Sequence, residues 1–147
     1  MKLFVYGTLM RGMPFPMATF LEQRATFVGE GVVKGRLYEL GGYPGLVHLP
    51  NADSEVMGHI FELHDPKSTL AALDAYEMIN AAEPENGEYR RETIPVNTAN
   101  GVQECLVYLY NRPTVGLPEI PFGNWPAWFH SRENPIDPAS FRGGREL

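Results

Sequence analysis

What this chain lacks narrows its function first. Its 147 residues contain one cysteine, Cys105. A lone thiol excludes an internal disulfide and any zinc or iron–sulfur site built from several cysteines, and a reducing cytoplasm is the expected compartment. Lysine is scarce: three of the twelve basic residues, against eighteen acidic ones, for a formal charge of −6. Surfaces that track nucleic-acid phosphates need clustered positive charge, so no nucleic-acid partner is expected. No run of about 18 apolar residues occurs, so neither a transmembrane helix nor a membrane partner is expected. The opening Met1-Lys2-Leu3-Phe4-Val5-Tyr6-Gly7 meets glycine too early for the apolar core of a secretory leader. His48, His59, His64 and His130 show no paired metal-ligand spacing.

What is present fits a folded globular protein: 44% apolar and 20% charged residues, in a length that suits a single domain over residues 1–147. Thirteen prolines and fifteen glycines are spread along the chain and point to many short elements joined by turns. Strands are expected at residues 2–6, 25–28, 32–40, 56–63, 89–96 and 102–110, with a further apolar run at Leu46-Val47. Gly12, Pro14 and Pro16 should break any long element over residues 8–20. Gly41-Gly42-Tyr43-Pro44-Gly45 is a turn signal, and Asn100-Gly101 is expected to join the last two strands as a tight hairpin. From about residue 113 the tail should be irregular and packed on the core, with a short helix around residues 125–132. About seven strands against one clear helix predict an α+β fold: a small, mostly antiparallel β-barrel with one main helix and short flanking helices.

That helix should run from Pro66 to about Ile79, with Asp65 as N-cap and proline at the first helical position. Its apolar stripe passes through Leu70 and Leu73, and the next position on it is Glu77. A buried carboxylate is costly without partners, and burial raises its pKa above about 4.3. Such a glutamate in a cleft is a good general acid/base near neutral pH. The alternative is a glutamate at the helix end that turns outward into solvent.

The second candidate is Tyr6-Gly7-Thr8-Leu9. A strand that stops at glycine and opens into a loop exposes successive N–H groups, which can bind an anion or a developing oxyanion. The alternative is a plain strand-ending turn. Gly7 and Gly12 have the spacing of a phosphate loop, but Met13-Pro14 stand where lysine and serine or threonine belong. Cys105 reads as core filler, and His59 as a packed or surface histidine. Arg90 and Arg91 point to opposite faces of their strand, so at most one can line a site. Trp125 and Trp128 can wall a pocket or anchor the tail.

Five segments in order resemble the γ-glutamylcyclotransferase-like superfamily, in its small bacterial-type branch related to γ-glutamylamine cyclotransferases. They are Leu3-Phe4-Val5-Tyr6-Gly7-Thr8-Leu9, the stretch from Gly35-Arg36-Leu37-Tyr38-Glu39 through Gly45-Leu46-Val47, Gly58-His59-Ile60-Phe61-Glu62-Leu63, Leu73-Asp74-Ala75-Tyr76-Glu77, and Tyr89-Arg90-Arg91. The resemblance covers roughly residues 2–110. It implies an enzyme of acyltransferase or lyase type that cyclises a γ-glutamyl amine or γ-glutamyl amino acid to 5-oxoproline, releasing the amine, without metal or cofactor. Its only implied partner is that small-molecule substrate. It makes Glu77 the catalytic acid/base, assigns the glutamyl end of the substrate to Tyr6, Gly7, Thr8 and Leu9, and places Tyr89 as a hydrogen-bonding residue nearby. Two positions depart from the family pattern. Thr8 stands where serine is frequent and keeps the hydroxyl. Met78 stands where glycine commonly follows the glutamate, which bears on the substrate more than on the chemistry. The rival readings are a non-catalytic metabolite-binding protein on the same fold, an interaction domain whose aromatic tail docks a partner, and an acyl transferase using Cys105.

Overall fold

The computed structural model describes residues 1–77 and 82–131. In chain order the elements are β1 (Lys2–Val5), α1 (Pro16–Arg24), β2 (Ala25–Glu39), β3 (Pro44–His48), β4 (Glu55–Leu63), α2 (Pro66–Tyr76), β5 (Tyr89–Thr98), β6 (Gly101–Tyr110) and α3 (Trp125–Ser131). The strands lie in the order β3-β2-β4-β1-β6-β5, and β5 returns to pair with β2 through Asn97 and Val32. Five strands, β2, β4, β1, β6 and β5, therefore close into a barrel, and β3 extends it as an edge strand on β2. Only β1 and β6 run parallel, with Leu3 beside Leu106; the remaining pairs are antiparallel. The α+β, mostly antiparallel barrel read from the sequence is the architecture observed.

The core follows from strand alternation and from covered faces. Leu3, Phe4, Ile60, Phe61, Val96 and Val107 are all but fully buried. In β6 three successive residues, Val107, Tyr108 and Leu109, are buried, so both faces of that strand are covered. Among the described residues no helix is long and apolar enough to cross a membrane.

Three local expectations change, and a fourth reaches beyond the described residues. Residues 25–40 do not form two strands but the single β2, whose pairing to β4 shifts register between Phe27 and Gly29 and then continues. A glycine inside a strand pattern marks a bulge here rather than a break. Pro16 does not interrupt structure over residues 8–20; it starts α1, where its fixed φ and missing N–H cost nothing, and Ala18 and Leu21 bury that helix. The β5–β6 hairpin pairs Thr98 with Gly101, so Ala99-Asn100 forms the turn instead of Asn100-Gly101. Finally, α2 ends at Tyr76, and the expected extension to Ile79 lies outside the described residues.

As far as residue 131, the tail is more ordered than its composition implies. Glu119 bridges to Tyr38, the N–H of Ile120 donates to the Leu37 carbonyl at 2.7 Å, and Trp125 and Phe129 anchor α3 in the core. Arg132, the expected end of that helix, lies outside the described residues.

Candidate active site

The site begins where β1 stops. A Cβ at Gly7 would overlap Cγ of Pro44 and stand 2.9 Å from its Cδ, so only glycine lets the loop pass under that ring. The Gly7 carbonyl accepts the Met10 N–H at 3.0 Å, which closes a turn over residues 7–10. Among the described residues, the N–H groups of Gly7, Thr8 and Leu9 make no backbone hydrogen bond. Successive free N–H groups in a turn form an anion-binding concavity.

The other wall comes from α2. Pro66 opens the helix and Asp65 stands at the N-cap position, although its side chain makes no capping bond. Thr69, Leu70, Leu73 and Tyr76 form the buried stripe. Glu77 follows as the C-cap residue, with φ −84° and ψ 2°, and its N–H donates to the Leu73 carbonyl at 2.8 Å. Its exposure is only 8%, which removes the solvated alternative.

These parts share one cleft that is partly open to solvent. Tyr6, Gly7, Thr8, Leu9, Glu77 and Tyr89, the six residues singled out in the sequence, all line it, together with Phe4, Val5, Tyr43, Pro44 and Tyr108. The last three escaped sequence reasoning. Tyr43 and Pro44 sit inside a quoted segment, but only tertiary contact reveals that their turn folds over Gly7.

The aromatic walls are fixed by their phenols. Tyr6 donates to the Tyr108 carbonyl at 2.6 Å, Tyr89 to the Pro44 carbonyl at 2.7 Å, and Tyr43 to Glu88 Oε2 at 2.6 Å. Thr8 Oγ1 lies 3.1 Å from the Tyr76 phenol, linking loop to helix. Tyr108 donates to Asp74 Oδ1 at 2.7 Å, and Arg91 clamps both oxygens of that carboxylate at 2.6 and 2.7 Å. Burial foremost, then the bond to Asp74 and its charge, push the Tyr108 phenol far above its ordinary range, with Glu77 adding to the rise. Tyr108 is therefore a neutral phenol at any physiological pH. Asp74 is a supporting residue legible only as part of the Leu73–Glu77 segment.

Other candidates lie elsewhere. Neither arginine lines the cleft: Arg91 is held by Asp74, and Arg90 pairs with Glu92. Trp125 belongs to the core, and Trp128 donates its indole N–H to Glu39. Cys105 is buried, and burial pushes its thiol up. His59 accepts the Arg11 N–H at Nδ1, and burial lowers its pKa. Among the described residues no three His, Cys, Asp or Glu side chains cluster as a metal site. Met78 lies outside the described residues.

A buried carboxylate thus shares a cleft with an array of free N–H donors. That pairing can hold an anionic group at one end and exchange a proton at the other.

Comparison with known proteins gives this geometry a family. A family model described as gamma-glutamyl cyclotransferase, AIG2-like, matches residues 3–127. The gamma-glutamylcyclotransferase family protein ytfP of Citrobacter rodentium is 34% identical over 128 residues, covering 85% of this chain and 95% of that protein. The solution structure of ytfP from Escherichia coli superposes with a TM-score of 0.58 at 33% identity, covering 85% of this chain and 96% of the other. The crystal structure of an AIG2-like protein from Mus musculus gives a TM-score of 0.63 at 27% identity, over 90% of this chain and 97% of the other. With the family model spanning most of its length and relatives above 30% identity across nearly their whole length, the chain belongs to the AIG2-like γ-glutamyl cyclotransferase family.

Proposed function

We propose that this protein cyclises a γ-glutamyl amine or γ-glutamyl amino acid to 5-oxoproline and releases the amine. The substrate carries its own nucleophile. Its α-amino nitrogen attacks the γ-carbonyl carbon and forms the ring C–N bond; the old C–N bond to the leaving group then breaks. The attacking nitrogen gives up one proton and the leaving nitrogen takes one, so no water, metal or redox partner is consumed. Glu77 is the group that accepts the first proton and returns it. The N–H groups of the 7–9 loop hold the glutamyl α-carboxylate, which folds the flexible substrate until amine and carbonyl meet. Alignment of this intramolecular kind is worth on the order of 7–11 kcal/mol relative to loose encounter. Tyr6 and Tyr89 serve as walls whose phenols are already engaged, and Tyr89 fixes the Pro44 side of the cleft.

The observation that carries this reading is the burial of Glu77 in the same cleft as the free N–H groups of Gly7, Thr8 and Leu9. A protein that only binds a metabolite has no need of a buried carboxylate beside an anion-binding loop. A cytoplasmic location accompanies the reading, since the one thiol is buried and unpaired. The test is a panel of γ-glutamyl amines and γ-glutamyl dipeptides assayed for 5-oxoproline. Release from at least one member is expected; saturable binding across the panel with no product would favour the non-catalytic rival.

A further inference from the structure

Glu39 is a buried carboxylate that the reaction above does not use. It ends β2, and three donors converge on it. Its Oε2 accepts the N–H of Gly41 at 2.9 Å and the N–H of Gly42, while Oε1 accepts the indole N–H of Trp128 at 2.6 Å. Gly41 and Gly42 both take positive φ, at 105° and 114°, and present their amides to the carboxylate. Hydrogen bonds to an ionised acceptor are about twice as strong as neutral ones. The turn they hold leads directly into Tyr43 and Pro44, which wall the cleft. Pro44 in turn seats against Gly7, and its carbonyl receives the Tyr89 phenol. A continuous line of contacts therefore runs from α3, through Glu39 and the 41–44 turn, to the loop that opens the site.

Trp128 is only partly buried against the core. Trp125 and Phe129 are the buried anchors of that helix, and its first turn is closed by Asn124 Oδ1 on the Ala127 N–H at 3.0 Å. Nor is Trp128 part of the matched family segment, which stops at residue 127. Its indole N–H has a narrower job, which is to fix the second oxygen of Glu39.

We propose that Glu39, gripped by Trp128, is a positioning residue: it sets the height of the Tyr43–Pro44 wall above the Gly7–Leu9 loop and so fixes how tightly the cleft takes its substrate. This rests on the cyclisation reading of the same site. Glu77 comes from the end of α2 and not from the 41–44 turn, so the clamp acts on substrate binding and leaves the proton transfer alone.

The test uses the full chain with L-γ-glutamyl-n-butylamine and L-γ-glutamyl-L-alanine as probes. Trp128→Phe keeps the ring and removes the donor; Glu39→Gln keeps the shape and replaces an acceptor with a donor. For each, KM is expected to rise about ten- to a hundredfold with kcat within about threefold, the pattern of lost uniform binding. The double variant should be no worse than the more severe single one, because both act along one path. A second readout needs no turnover: in Trp128→Phe the amide NMR signals of Gly7, Thr8 and Leu9 should shift, while His130→Gln, an exposed change on the same helix, leaves them in place. Lowered thermal stability with unchanged KM and unmoved loop signals would overturn the proposal, since a purely structural bond behaves that way. If the parent protein turns over neither probe nor any other member of the panel, the cyclisation reading fails. The loop signals alone then decide whether the clamp reaches the site.

Discussion

The Thr8 hydroxyl lies 3.1 Å from the Tyr76 phenol, and both residues are buried. This bond joins the loop after β1 to the last residue of α2, one position before Glu77. It ties the loop directly to the helix end that carries Glu77, and it sets their relative placement. Thr8→Val keeps the shape and removes the hydroxyl. It is expected to cost about 1 kcal/mol in stability, and to lower 5-oxoproline release roughly tenfold through misplacement of the loop. Thr8→Ser keeps the hydroxyl and should stay near the parent in both. Denaturant titration and steady-state assays of the pair check this; a fully active Thr8→Val protein would show that the bond does not align the site.

Gly7→Ala tests the contact between loop and turn. The new methyl group would collide with the Pro44 ring, which cannot swing away because its carbonyl is held by Tyr89. Overpacking of this kind costs about 1–3 kcal/mol. A matching drop in unfolding free energy, together with loss of 5-oxoproline binding by calorimetry, is expected. Parental stability and affinity would mean that the turn yields freely.

Much of this architecture is legible in the residues, and the exceptions have physical causes. Glu77 stands out because helical period places an acid where α2 buries Leu70 and Leu73. Tyr6-Gly7-Thr8-Leu9 stands out because a strand that ends at glycine leaves amides unpaired. The α1 helix was hidden because proline at a first helical position looks like proline as a breaker. The fusion of two short strands into β2 was hidden because glycine punctuates a bulge and a turn alike. Tyr43 and Pro44 signalled only a turn, and Tyr108 and Glu39 gave no sign of a place at the site. Their parts in and around the cleft depend on contacts with Gly7, Asp74 and Trp128, which lie far from them in sequence. Long-range pairing of that sort leaves no local periodicity to read.

Cys105 offers a test of the thiol rival. Burial, foremost, holds its pKa above the ordinary thiol value. The thiolate is the reactive form, so at neutral pH the native protein should resist iodoacetamide and keep its activity. Mass spectrometry should find the alkyl group only after denaturation. Rapid native-state labelling with parallel inactivation would revive the acyl-transferase reading.

His59 makes stability depend on pH in a defined direction. Burial lowers its pKa below 6.5, with Arg11 adding to the fall and Glu30 opposing it. The unfolded chain therefore binds a proton that the folded chain resists. Its contribution is complete above about pH 6.5 and declines as pH falls through that value toward the folded pKa. Protonation at Nδ1 would also break the bond from the Arg11 N–H. Unfolding free energies at about pH 7.5 and 5.5 should fall less steeply in His59→Gln than in the parent; parallel slopes would contradict the assignment.

The most direct measurement is 5-oxoproline release by Glu77→Gln, using whichever panel member the parent turns over fastest. Glutamine keeps the shape of the side chain and loses the titrating group. The account expects parental thermal stability, retained binding of 5-oxoproline, and a rate lower by roughly 10²–10⁴-fold, the usual weight of a general acid/base. Release at the parental rate would contradict it, because the proton would then travel by a route that does not involve Glu77.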